Sequence, residues 1–202
     1  MDEKDRMRRA LVAQRSAHHK AHGATDALAL AQVQVQGVAS QIEKLSGKTT
    51  ENISDKIIAA YLPMGGELDP QPLMQALGKS GNHICLPVCT DEDGPLVFRR
   101  YKQNDALLPD EMGIAAPRAT AHQVTPDIVL LPLLAFDGQG NRLGRGGGFY
   151  DRTLAVLKKR GDCRFIGLAF DMQMVDKCPT APHDEALHAV LTPSKRHDFD
   201  RD

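Results

Sequence analysis

The chain has 202 residues, of which 42% are hydrophobic and 25% charged, and its formal net charge is −1. That balance is ordinary for a soluble globular protein and excludes a nucleic-acid binder that works by bulk charge. No stretch reaches the ~18–20 apolar residues that span a bilayer, the first residues lack an apolar signal core, and the absence of Trp argues against base-stacking platforms.

Residues 3–22 predict a charged helix on which Lys4, Arg8 and Arg15 fall within about 40° of one another. Such a face is ordinarily solvated, yet it also suits a helix that reaches over an anionic ligand. His18 and His22 lie one turn apart but have no third metal ligand nearby. A second helix is expected from about Asp26 to Leu45, with Thr25 as N-cap and Gly47 just past its end. Its stripe of Leu28, Ala31, Val35, Val38, Ile42 and Leu45 reads as a core face. Residues 46–55 are polar and predict a loop.

Lys56 to Pro63 reads as a buried strand, followed by the loop Met64-Gly65-Gly66-Glu67 and a short helix from Pro70 to Gly78. His83 to Cys89 is a further strand, and Leu96 to Tyr101 one that pairs locally with it across the turn at 91–94. Residues 102–125 read as mostly irregular. Ile128 to Phe136 is a strand with Pro132 inside it, which predicts a break or an edge position. A helix follows at about 149–160, stopped by Gly161, and Phe165 to Phe170 and Ala189 to Thr192 are the last strands expected. Cys85, Cys89, Cys163 and Cys178 form no CxxC pair and read as reduced, buried thiols of a cytoplasmic protein.

Strands that alternate with helices, and continuous rather than alternating apolar runs, predict an α/β fold. The expected architecture is one three-layer domain over residues 1–202, with a mostly parallel central sheet. N-terminal helices occupy 3–45, the sheet core 56–192, and a charged tail from 194 to 202 frays. Ligands in such sheets bind beyond the carboxyl ends of the strands, where the loops 64–67 and 137–148 fall. The second loop holds Gly138, Gly140, Gly144, Gly146, Gly147 and Gly148 together with Arg142 and Arg145, and it opens a helix that carries Asp151. Glycines admit an anion close to backbone amides, a helix N-terminus favours negative charge, and Asp151 is placed to hold a divalent metal. These residues suggest a site for a polyphosphate with a metal ion. It is neither a Walker A loop, since no GK[ST] follows, nor a Rossmann fingerprint, since the glycine spacing differs.

The run Pro132 to Asp137, then Gly140-Asn141-Arg142-Leu143-Gly144-Arg145-Gly146-Gly147-Gly148-Phe149-Tyr150-Asp151, closely resembles the signature of the 5-formyltetrahydrofolate cyclo-ligase family. Weaker resemblance covers Lys4 to Arg8, Tyr61 to Glu67, and Leu108-Pro109 through Gly113-Ile114 and Pro117. The resemblance implies a scaffold like that of sugar isomerases and CoA transferases. It implies ATP- and magnesium-dependent closure of 5-formyltetrahydrofolate to 5,10-methenyltetrahydrofolate, with ADP and phosphate released, through a phosphorylated formyl intermediate. Arg145 and Tyr150 would be catalytic. Lys4, Arg8, Arg142, Gly144, Arg145, Gly146, Gly147, Gly148, Phe149 and Tyr150 would bind ATP. Leu62, Glu67 and Tyr150 would bind the folate, and Asp151 the magnesium. No nucleic acid, membrane or partner chain is expected, so a monomer is the simplest state. The sequence departs from the family at three places. His183-Asp184 is present, but His188 stands where a second Asp is usual; Pro193 replaces an acidic residue; Phe149 stands where many relatives have Tyr. Asp184 is an open candidate for the metal shell. Two other readings compete: a phosphate-binding isomerase or transferase on a similar scaffold, and a non-catalytic folate store.

Overall fold

In a computed structural model, the described residues are 3–46, 54–161 and 163–199. Their centre is an eight-stranded sheet of order β12-β11-β10-β7-β1-β2-β3-β6. Strands β1 (Ile57–Ala59), β2 (His83–Val88), β7 (Ile128–Pro132), β10 (Arg164–Leu168) and β11 (Ala189–Leu191) run parallel. Antiparallel strands flank them, β12 (Arg196–Asp198) on one side and β3 (Val97–Arg100) on the other, and β6 (Gln123–Val124) pairs antiparallel with β3 at the edge. Alternate residues of the central strands point to opposite faces. Ile58, Ile128, Leu130, Ile166 and Leu168 meet helices α1 (Glu3–Ser46) and α2 (Gln71–Lys79). Ala59, Val129, Leu131 and Phe165 meet helix α3 (Phe149–Arg160) through its Leu154 and Leu157. Both faces are therefore covered, which is why β7 is a continuous apolar run.

Several expectations change. The two N-terminal helices are one 44-residue helix. Thr25 lies inside it rather than at a cap, and Gly23 is accommodated because no proline interrupts the backbone. Leaving glycine there costs about 1 kcal/mol relative to alanine, which docking of the long helix on the sheet outweighs. Leu28 is 57% exposed and leaves the expected stripe; Val38 and Ile42 of that stripe are buried, Ala31 and Val35 are partly buried against the core, and Ala27 and Leu30, outside it, join the buried face. The expected stop at Gly47 and most of the loop 46–55 lie outside the described residues, as does the side chain of Leu45.

The stretch 102–125 is mostly irregular, as expected, but it holds three short strands. It forms the hairpin of β4 (Leu107–Pro109) and β5 (Ala115–Pro117), then β6. These strands are too short, and too rich in proline and alanine, to leave an alternating pattern. Pro132 ends β7, but β7 is central and not an edge. The chain resumes in β8 (Ala135–Phe136), which pairs with β9 (Arg142–Leu143) inside the glycine-rich loop. Up to residue 199 the tail is a strand, β12, whose Asp198 accepts a hydrogen bond from Gln41 of α1 at 2.6 Å. All four cysteines are free and buried, and burial pushes the thiols of Cys85, Cys163 and Cys178 up to about 12.

Candidate active site

A cleft of about 850 Å³ opens beyond the carboxyl ends of β1, β2 and β7, a size suited to a small organic ligand. Every residue expected to act lines it: Lys4, Arg8, Leu62, Glu67, Arg142, Gly144, Arg145, Gly146, Gly147, Gly148, Phe149, Tyr150 and Asp151. The α1 start crosses one side, and Lys4 and Arg8 hang from it. Arg15, expected beside them as a third surface cation, is instead turned inward and only 1% exposed.

One wall is cationic. Lys4 donates to Asp184 at 2.6 Å, and Arg8 donates through Nε to the carbonyl of Gly144 at 3.1 Å. Arg142 donates to Asp151 Oδ1 at 2.5 Å and to the backbone carbonyl of Glu185. Glu185 N–H also donates to Asp151 Oδ1, at 3.3 Å, which leaves Oδ2 as the oxygen a cation would take. The helix that carries Asp151 begins just after Gly148, whose φ of +68° suits glycine. A Cβ there would lie 2.6 Å from Arg152 Nη1. The α3 N-terminus thus reaches the cleft with its amides, a natural seat for phosphate oxygens.

The lining also includes an apolar wall made of Leu62, Met64, Pro87, Leu96, Met112 and Ile114. Glu67 sits at its base, 5% exposed. Its Oε2 accepts from Met64 N–H at 2.9 Å, and its Oε1 stands 3.8 Å from Arg15 and 3.8 Å from Arg145. Burial raises the Glu67 carboxyl above its usual range, against the pull of the Met64 amide and both guanidinium groups. Arg145 also donates to the Met64 carbonyl at 3.4 Å, and Gly65, at φ +56°, gives it room. This one side chain therefore joins the glycine-rich loop to the 64–67 loop. Burial also raises the Tyr150 hydroxyl well above its ordinary value, so it stays a neutral donor.

Some supporting residues escape a reading of the sequence. Arg152 donates to the carbonyls of Gly94, Gly147 and Glu92, each at 3.1 Å, and stacks on Phe149 at 4.9 Å. It fixes the glycine loop against the turn after β2, and nothing in its spacing marks it. The β4–β5 hairpin reaches the cleft because Asp110 accepts from Cys89, Met112 and Ile114 backbone amides. Asp184 is on the cleft wall, and burial pushes its carboxyl up, but Lys4 and the Ala181 amide outweigh that and hold it low. His188 sits instead at the entry to β10, where its Nδ1 accepts from Phe165 N–H at 2.9 Å. The family departure at this position falls on the sheet.

Asp137 holds the loop itself. It is 2% exposed and accepts from Gln139 N–H, from the backbone and side chain of Asn141, and from Cys178 N–H. Burial alone would raise its carboxyl; these donors outweigh it and the group is lowered. Its contribution is accordingly full above the ordinary Asp range and is lost only as pH falls through the lower, folded-state value. Asp137→Ala leaves buried donors unmatched, and a loss of about 3 kcal/mol in urea unfolding is expected. A loss below about 1 kcal/mol would show that water replaces the carboxylate.

A covered parallel sheet with cations, helix-start amides and an apolar wall converging at its carboxyl edge defines an α/β enzyme that sets a phosphate-bearing co-substrate against an organic one. Residues 1–193 match the model of the 5-formyltetrahydrofolate cyclo-ligase family. The chain belongs to that family of ATP-dependent ligases, which displaces the isomerase, transferase and folate-store readings. It is 40% identical over 143 residues to the 5-formyltetrahydrofolate cyclo-ligase of Escherichia coli K12, covering 68% of this chain and 78% of that one. To the Haemophilus influenzae enzyme it is 37% identical over 141 residues, 67% of this chain and 75% of the other. The fold is similar to that of Aquifex aeolicus 5,10-methenyltetrahydrofolate synthetase, with TM-score 0.71 at 23% identity over 100% of this chain and 95% of that one.

Proposed function

We propose that the cleft cyclises 5-formyltetrahydrofolate with ATP, binding the triphosphate on its cationic wall and the folate on its apolar wall. The observation that carries this reading is Arg145, which touches the folate-side loop at Met64 and Glu67 while rising from the glycine loop. A formyl oxygen and a γ-phosphate brought to Arg145 from opposite sides would meet there.

The formamide oxygen is a poor leaving group. It attacks the γ-phosphorus, a new O–P bond forms, and ADP departs with the electrons of the broken P–O bond. The N10 lone pair then attacks the formyl carbon; the C–O bond breaks and phosphate leaves with its electrons, while N10 gives its proton to solvent. The chain's work is positioning and charge neutralisation. Lys4, Arg8 and Arg142 neutralise the phosphates, and the amides of Gly146, Gly147 and Gly148, with Gly144 and Phe149 beside them, hold them in line. Arg145 meets the charge that develops on the transferring group. Tyr150 borders the reacting atoms as a neutral donor. Glu67 accepts from the pterin amino and ring N–H groups while Leu62 packs on the ring.

Among the described residues no cluster of three metal-ligating side chains occurs. Magnesium on a nucleotide needs only one or two carboxylates besides phosphate oxygens, and Asp151, with Oδ2 outside its Arg142 contact, fits that role. When bound, the ion would neutralise charge on the phosphate oxygens. The buried thiols suit a reducing cytoplasm. No helix among the described residues is long and apolar enough to cross a membrane.

Purified protein given 5-formyltetrahydrofolate, ATP and magnesium is expected to generate the absorbance of the conjugated methenyl product. Folded protein that yields no such signal, or yields it without ATP, would reject the proposal.

A further inference from the structure

Glu67 lies between two guanidinium groups in unlike circumstances. The Arg145 side chain is 49% exposed, and on the proposed reading it is also required by the phosphate. The Arg15 side chain is 2% exposed and comes from the body of α1. Its Nη1 donates to the Leu133 carbonyl at 3.0 Å and its Nη2 to the Gly65 carbonyl at 3.1 Å. Those carbonyls belong to the segments that leave β7 and β1, two of the strands whose ends form the cleft. Gln173 donates to the same Leu133 carbonyl at 2.7 Å, and Arg15 Nε is buried without a hydrogen-bond partner. Stability alone is a weak reason for such a residue. A buried ion pair loses hydration on both sides, and an apolar side chain of similar volume often serves packing as well or better.

We propose that Arg15 is a positioning residue of the folate subsite, the fixed counter-ion that keeps Glu67 ionised and aimed into the cleft while Arg145 is committed to phosphate. This rests on the reading of Glu67 as the pterin's acceptor. Once Arg145 is drawn toward the transferring phosphoryl group, Glu67 loses one of its two cations. In a buried site an unsupported carboxylate takes up a proton and becomes a donor facing the donors it should receive. Arg15 cannot follow Arg145, because both Nη atoms are engaged and its side chain is buried. The other groups that face Glu67 do not replace it. Tyr61 and Tyr150 are held protonated by burial, and Met64 offers a backbone N–H. His19, on the same helix, lies beside Gly66, as a Cβ built on that glycine would be 3.5 Å from the His19 Cβ.

The test is the pH profile of KM for 5-formyltetrahydrofolate, measured with ATP and magnesium saturating. In the parent enzyme folate binding weakens as pH falls through the raised Glu67 value. Arg15→Gln keeps a donor for Leu133 but removes the charge, so that value rises further and the acid limb moves toward higher pH by about one unit. KM for folate rises by up to about tenfold on the acid side of the parent's limb, the full worth of a one-unit displacement, and by less above it, while kcat and KM for ATP stay within about twofold. Arg15→Lys restores a charge, so its limb stays within about half a unit of the parent's. In a Glu67→Gln background the limb is gone and Arg15→Gln adds little to KM. Three results would overturn the proposal: kcat and both KM values damaged alike at every pH in folded Arg15→Gln, a displaced limb in Arg15→Lys, or a limb that survives Glu67→Gln. Should Arg15→Gln not fold, the Lys variant and the Glu67→Gln profile still decide. An unchanged folate KM in Glu67→Gln alone strikes the pterin reading itself, whereas failure confined to the Arg15 variants strikes only this proposal.

Discussion

Arg145→Ala is expected to lower kcat by about 100- to 1,000-fold, the scale seen when a preorganised transition-state donor is removed. KM for 5-formyltetrahydrofolate should change by less than about threefold on the alkaline side of neutrality, where Glu67 is ionised with or without its second cation. The asymmetry follows from position. Arg145 is half-exposed and 3.8 Å from Glu67, a weak ground-state contact, while Arg15 retains the carboxylate from the buried side. A guanidinium needed to absorb charge during transfer is missed mainly in the transition state. Steady-state kinetics with each substrate varied in turn measures the split. Parallel losses in kcat/KM through KM alone would make Arg145 a folate-binding residue and remove it from the chemistry.

Asp151→Asn is expected to reduce activity roughly 100-fold at low magnesium and to recover part of it as magnesium is raised, because a neutral amide holds a hard cation poorly. The substitution preserves shape and an oxygen acceptor for Arg142, whose side chain is only 4% exposed, so the loop remains assembled. Asp151→Ala would instead strand a buried guanidinium, and its loss of activity would mix catalysis with folding. A magnesium titration at fixed ATP separates the two effects. The same half-saturating magnesium in parent and Asn variant would move the ion to another carboxylate, with Asp184 a candidate on the cleft wall.

The cationic wall of the cleft was legible because its residues are local. Arg142, the glycines, Arg145 and Asp151 are close in sequence, and one turn from strand to helix suffices to group them. Lys4 and Arg8 were legible only as helix neighbours; their arrival over Gly144 and Asp184 depends on how α1 docks. Arg15 shares their helix face by angle, yet it goes inward, since the surface it meets differs about two turns further along. The helix break expected before Asp26 failed because glycine weakens a helix locally, whereas packing along its whole length decides its extent. The β4–β5 hairpin was missed for the opposite reason: strands of three residues leave too little pattern to read, and the Asp110 contacts that hold them come from outside the strands.

The cleft is assembled from stretches that lie far apart along the chain: the α1 start, 61–67, the β2 end with its hairpin, 142–151 and 179–184. No fragment could offer this surface, so the unfolded chain has nothing comparable to bind with. Occupancy and folding are then a single equilibrium, and free ATP or folate at about a hundred times its dissociation constant adds roughly 2.7 kcal/mol to stability. Scarcity of substrate would leave the protein both idle and easier to unfold, so that cellular supply sets its lifetime along with its workload.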